Sequence, residues 1–142
     1  ETWNTSAISS IEYFPKSSID FIPVSIPVLN PASTPASNSA LRSFFSSSSL
    51  SYSNIYYIIR RYLGHERTIE SLKELSKYVG ILPVNGKIIR LSLDSEFGDF
   101  EDAIQYFSAL QNRKIEAIVT RNVKDFKLST LPVLQPSELL VW

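Results

Sequence analysis

Asp99-Phe100-Glu101-Asp102-Ala103-Ile104-Gln105-Tyr106, followed after a polar link by Ile115-Glu116-Ala117-Ile118-Val119-Thr120, decides the fold class. Ala103, Ile104, Phe107 and Leu110 recur at helical spacing behind Asp99, which predicts a helix starting near that residue. Ile115–Thr120 is mostly apolar and β-branched near its end, so it reads as a buried strand. The same alternation extends outward. Ser51 or Ser53 can cap a helix through Ile55, Ile58, Ile59 and Tyr62, with Gly64 as its stop. A second helix follows from about Glu66, carrying Ile69, Leu72, Leu75 and Val79, with Gly80 as its end. Ile81–Val84 is a strand candidate, Asn85-Gly86 turns the chain, and Lys87 to Leu93 reads as a short helix. Val133-Leu134 is a short strand, and Pro136-Ser137-Glu138 opens a last helical turn. Helices alternating with short buried strands imply an α/β domain with a parallel sheet. No internal repeat is visible.

The 142 residues fit a single domain with one core. Lys and Arg total 14 against 14 Asp and Glu, so no global basic field exists, and a polyanion must be met by a local patch. The absence of Cys excludes a disulfide scaffold, a zinc knuckle and a thiol nucleophile. A single histidine, His65, excludes a His-rich metal site. No apolar run reaches about 18 residues, so no membrane-spanning helix is expected. The start of the chain lacks a basic segment ahead of an apolar stretch, and a cytoplasmic setting is the default expectation.

The composition changes near residue 50. Residues 1–53 hold 16 Ser, 5 Pro, no Gly and 5 charged residues, whereas residues 54–142 hold 23 charged residues and all 4 Gly. Pro23 and Pro27 interrupt the apolar stretch Ile19–Leu29 and confine any strand there to an edge. Residues 30–39 read as loop, Ala40–Phe45 as a short helix, and Ser46–Ser49 as a low-complexity run. The expected organisation is an atypical Ser/Pro-rich segment, 1–53, ahead of an α/β portion, 54–142.

Ligands of open α/β sheets bind beyond the carboxyl ends of the strands. That places Thr120-Arg121-Asn122-Val123-Lys124-Asp125-Phe126 at the mouth of a pocket. Asp99 and Asp102 are three apart, so they share one helix face while Glu101 points elsewhere. Two readings stay open on spacing alone. The acids cap and solvate the helix end, or a right-handed crossover brings them beside the Thr120–Phe126 loop. Carboxylates gathered there repel one another unless a cation is bound. Hard oxygen ligands suit Mg²⁺ or Mn²⁺ rather than zinc. Such a site activates water and neutralises charge on a phosphodiester.

Ser51-Tyr52-Ser53-Asn54-Ile55-Tyr56-Tyr57, the Asp99–Tyr106 stretch and Ile118-Val119-Thr120-Arg121-Asn122-Val123-Lys124-Asp125-Phe126 together resemble the PIN domain. The nearest branch is that of the VapC-type toxins of bacterial toxin–antitoxin pairs. The resemblance covers roughly residues 48–140, including the trailing Pro132-Val133-Leu134-Gln135-Pro136-Ser137-Glu138-Leu139-Leu140. It implies a three-layer domain with a short parallel sheet flanked by helices, and a Mg²⁺- or Mn²⁺-dependent ribonuclease acting on RNA. It also implies a cognate antitoxin protein and a homodimer as partners. Asp102 matches the family's helix-start metal ligand and Asp99 an auxiliary acid. Asn122 stands where many members carry Asp, with Asp125 near enough to substitute. Asn54 stands where many members carry Glu. Thr120 offers a hydroxyl to a ligand or water, and Arg121 and Lys124 offer charge to phosphate or pair with Asp99 or Asp125.

The family's opening strand ends in Asp-x-Asn or Asp-x-Ser, and residues 1–53 contain neither. Asp20 and Glu12 are the nearest substitutes, and neither has the right neighbours. Three explanations stay open: divergence of this part, a shifted reading frame, or loss of the first ligand leaving a binding module without activity. The segment must also supply a replacement central strand. Arg60-Arg61 with Tyr56, Tyr57 and Tyr62 either contact an RNA backbone and its bases or form the packing and solvated faces of a helix. His65 reads as a cap or surface residue.

Overall fold

The computed structural model describes residues 45–138. The readings of Glu12, Asp20, Ile19–Leu29, residues 30–39 and nearly all of Ala40–Phe45 lie outside them. Described elements run in the order β1 (Phe45–Ser48), α1 (Ser49–Leu75), β2 (Val79–Leu82), α2 (Gly86–Leu93), α3 (Phe100–Leu110), β3 (Ile118–Val119), a 3₁₀ turn (Val123–Phe126) and β4 (Val133–Leu134).

The serine run is a strand. Phe45, Ser46, Ser47 and Ser48 pair in parallel with Val79, Gly80, Ile81 and Leu82. Serine has little strand preference of its own, so pairing and burial hold this segment extended. Phe45 therefore belongs to a strand and not to a short helix. Residues 45–53, grouped by composition with the Ser/Pro-rich segment, form β1 and the opening of α1. β1 pairs with β2 alone and does not bridge to β3 and β4, so among the described residues it is not the replacement central strand expected from residues 1–53.

Ser48 caps α1 in place of Ser51 or Ser53. Its Oγ accepts from the Ser51 backbone N–H at 3.2 Å, and the two hydroxyls lie 3.0 Å apart. Gly64, with φ +75°, breaks the helical path where the stop was expected, dividing α1 into runs on either side. Thr68, fully buried, donates to the Gly64 carbonyl at 2.6 Å and ties the second run to the break. Ile69, Leu72 and Leu75 are half-buried, as the amphipathic period predicts.

Gly80 does not end that helix. The helix stops at Leu75 with Ser76 as its cap, and Val79 and Gly80 lie in β2. The strand expected at Ile81–Val84 sits two residues earlier because Pro83 has no N–H to give a ladder. Asn85 accepts from the Lys87 and Ile88 N–H groups at 3.0 and 3.1 Å and starts α2.

β3 and β4 pair in parallel, Ile118 with Val133 and Val119 with Leu134. β3 is shorter than the Ile115–Thr120 reading because Ile115 N–H turns back to the Asn112 carbonyl at 2.9 Å. Ile115 and Ala117 are nonetheless buried. The fold is mixed helix and strand with parallel pairing, but the described strands form two separate pairs, β1–β2 and β3–β4, instead of one sheet. No helix among the described residues is long and apolar enough to cross a membrane.

α3 occupies the middle. Seven of its residues, Asp102 to Tyr106 with Ser108 and Ala109, are buried, so it is covered nearly all round. It packs against α2, β1 and the 3₁₀ turn. Tyr106 and Ala109 join Leu82, Ile115, Ile118 and Phe126 in the core. Phe97 stacks on Tyr106 at 5.1 Å between ring centroids, an arrangement that adds to area burial. This core fixes the direction of the α3 N-terminus and of the turn that faces it.

Candidate acidic site

Asp99 sits just before α3 in extended conformation. Its Oδ1 accepts from the Glu101 and Asp102 N–H groups at 2.8 and 3.2 Å. The capping reading therefore holds for Asp99. It does not hold for Asp102, which is 1% exposed and has an Oδ1 with no hydrogen-bond partner. Burial, first, and then the charges of Asp99, Asp125 and Glu101 push its carboxyl up to about 7. Asp125 arrives from the 3₁₀ turn after β3. The crossover thus brings the loop beside the helix start, and Asp102 and Asp125 are close enough to repel.

Glu101 does not point away from the other acids, contrary to the spacing argument. Its Oε1 accepts from Asn54 Nδ2 of α1 and from Gln105 Nε2, the latter at 3.4 Å. Burial is the main cause that raises its carboxyl, and the Asp99 charge adds to it; the Asn54 and Gln105 hydrogen bonds oppose this. A helix buried nearly all round has no face that points elsewhere, so Glu101 turns toward α1. Asn54, which was expected at the substrate, holds Glu101 from α1. Gln105 is fully buried and its Oε1 has no partner. Gln105 is one residue the sequence reading missed, although its i+4 spacing from Glu101 signals the contact.

Asn122 donates Nδ2 to Asp125 Oδ2. Its own backbone N–H donates to Thr120 Oγ1 at 3.0 Å. Thr120 is buried and its N–H bonds the Leu134 carbonyl at 2.9 Å, anchoring the loop to β4. Arg121 and Lys124 are exposed. Neither forms an ion pair with Asp99 or Asp125; the ion pair among the described residues joins Lys77 and Glu74. No cation from the described chain therefore compensates the acids.

Ser47 lies on β1, which packs against α3. It is 2% exposed with an unpartnered Oγ.

Among the described residues, no three acid or histidine side chains close into a ready-made cage. Mg²⁺ is commonly held by one or two carboxylates with water completing the shell. A buried, unpartnered Asp102 oxygen with repelling acids around it fits that mode. Cysteine is absent and the single histidine lies on α1, so the donors suit Mg²⁺ or Mn²⁺. No family model, curated protein or solved structure matches the chain.

Proposed function

We propose that this chain is a PIN-like, three-layer α/β endoribonuclease of toxin type that hydrolyses RNA phosphodiesters with Mg²⁺ or Mn²⁺. The observation that carries the reading is Asp102: a buried carboxylate with a free oxygen, crowded by Asp99, Glu101 and Asp125. Uncompensated like charges in a low-dielectric setting cost stability. Proteins keep such arrangements where a ligand neutralises them.

Asp102 would hold the ion, with Asp125 and Asp99 reaching it directly or through water. A bound dication supplies a water of lowered pKa and neutralises charge on the phosphate. Asp99 keeps the α3 N-terminus in place, and Asn54 and Gln105 hold Glu101 at the rim. Asn122 orients Asp125. Arg121 and Lys124, unpaired with the acids, meet the phosphates on either side. An antitoxin laid over this acidic pocket, a homodimer and a cytoplasmic setting belong to the same proposal.

The lack of an Asp-x-Asn or Asp-x-Ser ending in residues 1–53 favours a second reading. Without that first carboxylate, the metal would be held weakly, leaving a PIN-like module that binds RNA or an antitoxin without cutting. A titration separates the two. Mg²⁺ or Mn²⁺ should raise the Tm of the wild type and leave Asp102→Asn unmoved, and RNA cleavage should vanish in that variant. Cleavage that survives Asp102→Asn removes the mechanism in which Asp102 holds the ion. Metal-dependent stabilisation without cleavage selects the binding module.

A further inference from the structure

Asn54, which bonds Glu101 at the edge of the acidic pocket, begins a stripe along α1. Residues three, four and seven further on share its face: Tyr57, Ile58 and Arg61. An α-helix rises 1.5 Å per residue, so the stripe carries Arg61 about 10 Å beyond Asn54. Tyr57 is 63% exposed, and Tyr62, flanking the stripe, is 67% exposed. Two tyrosine rings so open are not a packing face. The charge of this run is one-sided. Between Ser49 and His65 there is no Asp or Glu, while Arg60 and Arg61 stand together. Arg60 lies over the Tyr56 ring at 5.7 Å, and Tyr56 packs edge-on against Tyr57 at 5.4 Å. Tyr56 Oη also meets His65 Nδ1 at 2.9 Å across the Gly64 break. Tyr57 therefore leans on a braced neighbour.

We infer that this face of α1 is a track for single-stranded RNA, with Tyr57 and Tyr62 stacking bases and Arg61 meeting a phosphate. Exposed aromatic rings beside cations with no acid among them complement a single strand, whose bases present π-faces and whose backbone is anionic. The track leads to the pocket at Asn54, so it feeds the strand to Asp102. The choice of RNA rests on the nuclease reading; the stacking surface rests on α1 alone.

The test measures binding without cleavage. Fluorescence anisotropy of a labelled oligouridylate of about ten nucleotides is followed with the full chain in EDTA. Tyr57→Ala and Tyr62→Ala should each weaken binding about tenfold, the loss of one stacked base. Tyr57→Phe should bind like the wild type. Arg61→Ala should lower the salt slope by about 0.7. All three positions are exposed, and far-UV circular dichroism checks that the variants fold.

Binding that follows this pattern in a protein that never cuts RNA supports the track and removes the nuclease. Binding indifferent to all three alanine variants overturns the track, whatever the cleavage assay shows. A change of oligomeric state in Tyr57→Ala or Tyr62→Ala, with oligouridylate binding unchanged, assigns the face to a second copy of the chain and equally overturns it.

Discussion

Asn54 of α1 and Glu101 of α3, 47 residues apart in sequence, are joined side chain to side chain. The bond connects the two helices at the edge of the acidic cluster, and it gives a carboxylate in uncomfortable surroundings one of its donors. Asn54→Ala should cost about 1–2 kcal/mol, because a half-buried acceptor is left short of a partner. Asn54→Asp should cost more, since it sets a like charge against Glu101. Urea unfolding at neutral and acidic pH checks this, and only the Asp variant should recover as the pH falls.

The proton on Asp102 makes the metal-free protein sensitive to pH. Its carboxyl is pushed up to about 7 from 3.8, so the folded state binds this proton more tightly than the unfolded chain. The stability it contributes is complete below the unfolded value and is lost as pH rises through the folded one. Glu101 is shifted in the same direction and adds to the trend. Thermal unfolding in EDTA should show Tm falling from about pH 4 to about pH 7. Asp102→Asn should flatten that fall and be the more stable protein at the alkaline end, by a margin on the order of a few kcal/mol.

Asp99 has two separable roles. Asp99→Ala removes a cap and should destabilise by about 1 kcal/mol. Asp99→Asn keeps the cap acceptor and removes the charge, so Asp102 should ionise at lower pH. A carboxyl ¹³C titration of Asp102 by NMR distinguishes the two. An unchanged Asp102 midpoint in Asp99→Asn would deny the repulsion.

Gly64 is the described residue whose backbone demands glycine. A Cβ there meets nothing within 4 Å, so crowding plays no part. The positive φ alone should make Gly64→Ala cost about 1–2 kcal/mol. The helix break should persist, because Thr68 still bonds the residue 64 carbonyl. Chemical denaturation gives the cost, and near-UV circular dichroism reports the Tyr56–His65 contact.

Ser47 carries a buried hydroxyl that bonds nothing. Ser47→Ala should therefore be neutral or stabilise by up to about 1 kcal/mol. A marked loss of metal response in this variant would place the hydroxyl among the ion's contacts.

Periodicity and punctuation made the second part of the chain legible. The Gly64 break, α2, the start of α3 and β4 follow from local rules about glycine, Asn caps and helical spacing. The convergence of Asp102 with Asp125 follows from crossover handedness. β1 was not legible, because a run of serines has no alternation of apolar and polar residues; only its ladder to β2 makes it a strand. Glu101 was misread for a related reason. Spacing places a side chain on a helix, but the neighbours that cover that helix decide whether the direction is solvent or pocket. Gln105 and Ser47 escaped because burial without a partner is a property of three dimensions.

A strand built from three like serines has a consequence for accuracy. Nothing in the side chains of Ser46, Ser47 and Ser48 distinguishes one pairing with β2 from its neighbour one step away. A slip of one position along the seam would displace the start of α1 by about 3.3 Å, enough to part Asn54 from Glu101. The alignment of two distant helices is therefore held at the seam by what flanks the serines: Phe45 before them, and the Ser48–Ser51 cap after them.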